Sequence, residues 1–339
     1  LYNEFKFGSE KWKTTPEQYA QNDASLAFCK NLGVKTKEID DFKLSAQIAE
    51  AVGREYGFPL GFREGVHLDD GFNIVEFEGN SEGEEVSVKV GFVRVSETGD
   101  NNEDPTNLSQ AKQLLGSSVS EGSVLMEHPR LGMQARFNMG MTVGSVIKPE
   151  HTSLDLAGIF FYELYGENVL LKESNSQLTG NLLLSYNLAP IIGVTQTFLD
   201  LDIGFGIPIF APEDLNTTVT AAPFILSPYF GLTKKFGGKT YFSGAFGGGV
   251  DMLNLAGTYE SSYYGDQNFV ISIMAPGVKL GGEFGLMLTS DLLLVGSLNY
   301  KLGLPPLGGT LTIGDYDPIE FADLVTYEDM SLGGITFQL

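Results

Sequence analysis

The sequence predicts an all-β chain, an up-and-down antiparallel membrane-type β-barrel preceded by a short helical segment. Three observations carry this. Long runs alternate apolar and polar residues with period two, as strands do when their two faces meet different surroundings. The polar faces of those runs are rich in Gly, Ser, Asn and Thr and poor in Lys and Glu, which suits a narrow polar interior. Connections between runs are alternately short and long, the pattern of tight turns on one rim and longer loops on the other.

Composition narrows the alternatives. Glycine numbers 42 of 339 residues and Phe plus Tyr 38, yet there is no Gly-X-Y period and 42% of the chain is hydrophobic, so neither a collagen-like nor a disordered chain fits. No run of 18 apolar residues occurs, which excludes a helical membrane span and leaves a strand-built one untouched. The net charge of −22 argues against nucleic acid, so none is expected as a partner. A single cysteine, Cys29, excludes an intrachain disulfide framework. The chain opens at Leu1 with no charged and apolar leader pattern, so a targeting peptide is expected to have been removed.

The order of elements begins with residues 1–52, expected to be a helical arm or plug. Thr15, Pro16 and Glu17 suit a helix start, with Gly33 beyond its end. A second helix is expected from Lys37 to Val52, where Ile39, Phe42, Ala46, Ala49 and Val52 recur at three- and four-residue spacing before Gly53.

Residues 53–339 are expected to form the barrel. Tyr56 to Phe62, Phe72 to Glu78 and Val86 to Phe92 are the first three strands, Pro59 marking an edge or bulge. A long polar link to Leu131 follows. Clearer strands run over Met133–Gly144, Ser153–Leu164, Leu178–Leu188 and Leu199–Ile207. The strongest signal is the hairpin Ala221–Met252, two long arms joined at KKFGGK, each long enough to cross a bilayer. Met274–Leu288, Leu292–Lys301 and Ser331–Leu339 complete the set. The count is twelve, with ten or fourteen the neighbouring even numbers. Short links fall near 149–151, 189–191, 235–238 and 289–291, and long ones near 97–131, 166–176, 208–220, 253–267 and 303–329.

The segments LTKKFGGKTYFSGAFGGGV and LMLTSDLLLVGSLNYKLG resemble the turn-and-strand units of bacterial outer-membrane β-barrel proteins, and EDMSLGGITFQL is similar to their closing strand. The resemblance is to a porin-like architecture over roughly residues 84–339. It implies a bacterial outer-membrane or cell-surface location, a lipid bilayer as partner and transport as a function. The closing strand departs from the usual pattern by ending at Leu339, two residues beyond the aromatic Phe337.

No catalytic constellation stands out, so a non-enzyme is expected. His67, His128 and His151 are widely separated, and no G-x-S-x-G elbow, P-loop or dinucleotide fingerprint occurs. No cofactor is expected, with Ca²⁺ the one candidate ion and Asp100, Glu103 and Asp104 its candidate ligands. On the polar parity, the lumen-facing candidates are Arg136, Asp155, Glu163, Asp200, Asp202, Asp251, Lys279, Glu283 and Lys301. Six acids against three bases favour cation passage if the lumen is open, whereas pairing across a filled interior would hold it shut.

The leading expectation is therefore a pore or small-solute channel, occluded or not by residues 1–52. One alternative is an exported protein that assembles with copies of itself into a surface layer or filament. Another is a hydrophobic-ligand transporter with an amino-terminal hatch and a lateral opening at a strand proline, Pro59 or Pro276.

Overall fold

The computed structural model describes residues 3–7, 10–14, 18, 20–25, 28, 43–79, 85–102, 104–128, 132–147, 153–154, 169–170, 174–209, 219–261, 265–305, 307–313, 318–320 and 332–339. The chain divides into two compact units, residues 1–66 with 70–130 and residues 67–69 with 131–339.

In the first unit, β1 (Asn3–Phe7) and β2 (Glu10–Thr14) form a small antiparallel pair. Residues 18, 20–25 and 28 are helical, within the first expected helix. The second expected helix is not formed. From residue 43 the chain is extended, as β3 (Ser45–Gln47) and β4 (Glu50–Val52). They join β5 (Glu55–Phe58), β6 (Gly71–Gly79), β7 (Glu85–Glu97), β8 (Ser109–Gly116) and β9 (Val124–His128) in one sheet of order β3-β9-β6-β7-β8-β5-β4. The two edge strands are consecutive in the chain. The Ile48 N–H donates to the Ser123 carbonyl beside β9, and the Ala49 N–H to the Gly57 carbonyl of β5, so the kinked segment 45–52 wraps the sheet round on itself.

That wrapped sheet buries an apolar core. Ile48, Tyr56, Phe58, Phe72, Ile74, Val93, Val95 and Leu125 are at most 2% exposed. Burial of Ile48 is the physical reason the helix fails: its side chain completes this core from an extended backbone, and tertiary packing outweighs weak helical spacing. The Tyr56 hydroxyl donates to Gln113 Oε1 at 3.0 Å, which satisfies the polar tip of a fully buried ring.

The second unit contains β10 (Met133–Ile147), β11 (Ser153–Leu154), β12 (Val169–Leu170), β13 (Ser174–Asn187), β14 (Thr197–Ile209), β15 (Val219–Gly237), β16 (Thr240–Ser261), β17 (Gly265–Met287), β18 (Leu293–Gly303), β19 (Gly308–Ile313), β20 (Ile319–Glu320) and β21 (Gly334–Gln338). Eight of these close an antiparallel barrel in the order β10-β13-β14-β15-β16-β17-β18-β21, with β21 pairing back to β10. Direct cross-strand partners can be followed right round it: Met133, Tyr186, Leu199, Leu232, Phe246, Leu280, Tyr300, Ile335 and then Val143. The circuit returns to β10 ten residues further on. Eight strands with that stagger tilt by about 40° and enclose a backbone radius of about 8 Å.

The expected count of twelve is thus corrected to eight. The three earliest strands belong to the first unit's own sheet. The fourth excess strand, Ser153–Leu164, has no place in the barrel wall because β10 pairs directly with β13. Only its first two residues, in β11, are described, and the rest of it lies outside the described residues. Two expected loops also change. Residues 97–131 carry β8 and β9, and residues 253–261 and 265–267 continue the ladder of β16 and β17 without a break from Thr240–Leu286 to Ser261–Gly265. That ladder includes Pro276 opposite Val250, so no lateral opening occurs there, and Pro59 lies in the first unit after β5.

The turn from β15 to β16 is two residues, Gly238 and Lys239. Gly237 enters it at φ +122°, where an added Cβ would overlap the Thr240 carbonyl, so glycine is required at that position.

Candidate functional site: the barrel interior and its outer face

The two faces of the barrel are chemically opposite. Along the circuit just traced every side chain points outward and is 41–59% exposed from Met133 to Ile335. Met139, Phe230, Phe242, Phe284, Leu298 and Phe337 extend the same exposed apolar surface. On β14 it reaches from Leu199 to Ile209, ten residues, which at a tilt of about 40° is a height of about 25 Å. Inward positions are polar: Asn138, Thr142, Gln177, Asn181, Ser185, Thr233, Ser243, Asn299 and Gln338 are buried. The first unit has the ordinary arrangement, a buried apolar core, with Val52, Phe62 and Phe77 among the apolar side chains left exposed.

Of the nine lumen-facing candidates, seven are described, and all seven side chains lie inside the barrel. Asp155 and Glu163 lie outside the described residues. Arg136 of β10 makes a bidentate pair with Glu283 of β17, Nη1–Oε2 3.0 Å and Nη2–Oε1 2.9 Å. Lys279 pairs with Asp202, whose other oxygen accepts from Asn181 Nδ2 at 2.6 Å. Lys301 donates to Asp251 Oδ1 at 2.8 Å. Asp251 is fully buried and also accepts from Ser227 Oγ at 2.5 Å and from the Tyr229 hydroxyl at 2.9 Å. Asp200 accepts from the Thr233 hydroxyl. These carboxylates are compensated by short charge-assisted bonds, the condition under which buried charge is tolerated.

Sequence reasoning missed one member. Lys235 was assigned to the turn, but β15 runs on to Gly237 and carries Lys235 inward, where its ammonium donates to Gln134 Oε1 at 3.2 Å and sits 4.4 Å from the Phe198 ring centre. Extending the β15 alternation two residues past Thr233 would have found it. Described interior charges are then four acids and four bases, while Asp155 and Glu163 of the anticipated acidic excess lie outside the described residues.

Glycines make room for this filling. An added Cβ at Gly285 would overlap the Tyr241 ring, and one at Gly277 or Gly249 would overlap Tyr229. Apolar side chains close both ends of the charged zone. Tyr241, Met287, Val295 and Phe198 are buried towards the short-turn rim, and Ile225, Leu253, Ile273 and Ala275, each 1% exposed, towards the other. Between them a cavity of about 50 Å³ remains, bordered by Asn138, Asp200, Lys279, Glu283, Asn299 and Gln338 among others.

Beyond that apolar seal the polarity of β16 and β17 changes sides. Met252 and Met274 are partners on the outward face, but the next outward pair is Asn254 and Ser272, bonded to each other at 2.7 Å. Leu253 and Ile273 are buried on the inward face, and Val270 is an exposed apolar exception above the switch. β19 pairs with Phe269–Met274 and widens the sheet at this level.

The candidate Ca²⁺ ligands serve their own loop. Asp100 Oδ1 accepts from the Asn102 N–H at 3.2 Å, and Asp104 Oδ1 from the N–H and hydroxyl of Thr106 at 2.9 and 2.7 Å. The Thr106 bonds hold the Asp104 carboxyl below its usual value. Glu103 lies outside the described residues, and among the described residues no group of three or more His, Cys, Asp or Glu is placed to hold a metal ion. No helix among the described residues is long and apolar enough to cross a membrane, a statement that does not bear on strands. Comparison with protein-family models, with curated proteins and with solved structures finds no match to this chain.

Proposed function

We propose that residues 131–339 form a bilayer-embedded barrel, of the kind found in the bacterial outer membrane or at the cell surface, that acts as a closed anchor without enzymatic chemistry. The observation that carries the reading is the opposite polarity of two β units in one chain. The first packs most of its apolar side chains into a buried core, whereas the second exposes an apolar belt around a polar interior. A belt of about 25 Å is the height of a bilayer's strand-spanned apolar zone, and so large an exposed apolar surface is costly in water. The switch to Asn254 and Ser272 supports the same reading, because it is the chemistry expected where strands leave hydrocarbon.

The anchor is preferred to the pore because, among the described residues, the interior is filled, charge-balanced and apolar towards both ends, and apolar constrictions oppose ion flow. The barrel would hold the water-facing first unit and the extended β16–β17 ladder at the membrane. The test is reconstitution into phosphatidylcholine vesicles followed by heat-modifiable gel mobility and planar-bilayer recording. Vesicle-dependent, heat-sensitive mobility with no steady conductance is expected. Folding in detergent-free buffer would overturn the membrane reading, and open channels in the native protein would overturn the closed one.

A further inference from the structure

One interior acid is treated differently from the others. Glu283, Asp202 and Asp251 each face a guanidinium or ammonium group at bonding distance. Asp200 is only 6% exposed, receives the Thr233 hydroxyl on Oδ2, and has no hydrogen-bond partner on Oδ1. Arg136 gives both terminal nitrogens to Glu283, leaving its Nε likewise without a partner. Asp200 borders the cavity of about 50 Å³ together with Asn138, Ser297, Asn299 and Gln338, residues that carry amide and hydroxyl oxygens; Asn299 Nδ2 donates to Ser297 Oγ at 3.3 Å and Ser297 Oγ to Gln338 Oε1 at 3.4 Å.

We propose that this cavity is a binding site for one monovalent alkali cation, held by Asp200 and the surrounding neutral oxygens. A buried carboxylate without a bonded counter-charge is strongly unfavourable, and the space beside it suits a small ion with one or two waters. Lys279 and Arg136 are engaged by Asp202 and Glu283, and the Lys235 ammonium donates to Gln134 Oε1, so no described base is bonded to Asp200. Oxygen donors without thiolate or imidazole suit an alkali ion rather than a transition metal. The ion would tie β14, which carries Asp200, to Asn138 of β10 and Gln338 of β21 across the interior, strengthening the closed form.

The test uses the full folded chain in detergent. Crystals soaked in thallium(I) are expected to give an anomalous peak beside Asp200 Oδ1, and replacing choline by potassium at constant ionic strength is expected to raise Tm by about 2–4 °C. Asp200→Asn should abolish the potassium effect. Because that variant could fail to fold, the thallium experiment on the unaltered protein stands by itself. Water density alone in the cavity, or an equal Tm in choline and potassium, would overturn the proposal.

Discussion

Arg136 and Glu283 meet across the barrel interior, from strands that stand three positions apart in the closed sheet, through two parallel bonds of 3.0 and 2.9 Å. Such a contact ties opposite walls, and its value lies in what breaking it leaves behind. Arg136→Ala strands a buried carboxylate and is expected to cost about 3–5 kcal/mol. The double change Arg136→Met with Glu283→Leu should recover most of that loss, since an apolar pair of similar volume leaves no charge unpaired. Urea midpoints of the folded fraction in vesicles measure both. An Arg136→Ala midpoint equal to that of the parent would show that the pair does not brace the barrel.

Gly285 exists for Tyr241. Gly285→Val is expected to displace the ring and lower barrel stability by about 1–3 kcal/mol through overpacking. Gly244, which faces outward with nothing within 4 Å of an added Cβ, should accept Ala with little change. The folded fraction by gel mobility compares the two directly.

The belt and the extended ladder should respond oppositely to charge. Leu280→Arg, at 52% exposure on the outer face, is expected to cost about 2–4 kcal/mol of stability in a bilayer. Ser272→Arg, beyond the polarity switch, should cost less than about 1 kcal/mol. Equal penalties at the two positions would place the switch elsewhere.

The first unit carries an acid-sensitive clasp. Glu64 Oε2 accepts from the Gly61 N–H at 2.9 Å and from Asn101 Nδ2 at 2.5 Å, and these bonds, the Gly61 one foremost, hold the Glu64 carboxyl below its usual value. A carboxyl lowered by folding contributes stability above its unfolded pKa and loses it as pH falls through the folded one. The protection of the Gly61 amide, its exchange rate relative to the intrinsic rate at the same pH, should therefore fall as the medium is acidified below the ordinary glutamate range, and Glu64→Gln should remove that pH dependence.

What the sequence revealed follows from what alternation encodes. Period two identified β10, β13, β14, β15, β16, β17, β18 and β21 and assigned Arg136, Asp200, Asp202, Asp251, Lys279, Glu283 and Lys301 to one parity, the parity that faces inward. Alternation has no sign, however. Val93 and Val95 alternate as Leu199 and Leu201 do, but the first pair is buried in a core while Leu199 is exposed on the outer face, so strands of the first unit were indistinguishable from barrel strands. The same ambiguity hid the continuation of β16 through Asn254, where the pattern persists with its faces exchanged. Pairing was also invisible, because Arg136 and Glu283 are 147 residues apart and meet only once the barrel closes with its ten-residue stagger.

The most direct test of the central claim is quenching of single tryptophans by brominated phospholipid in reconstituted vesicles, in a Trp12→Phe background. Phe246→Trp on the outer face is expected to be strongly quenched, and Phe198→Trp, buried in the interior, to be unaffected. Quenching at neither position, in protein that stays folded when the vesicles are removed, would mean that the apolar belt meets something other than lipid.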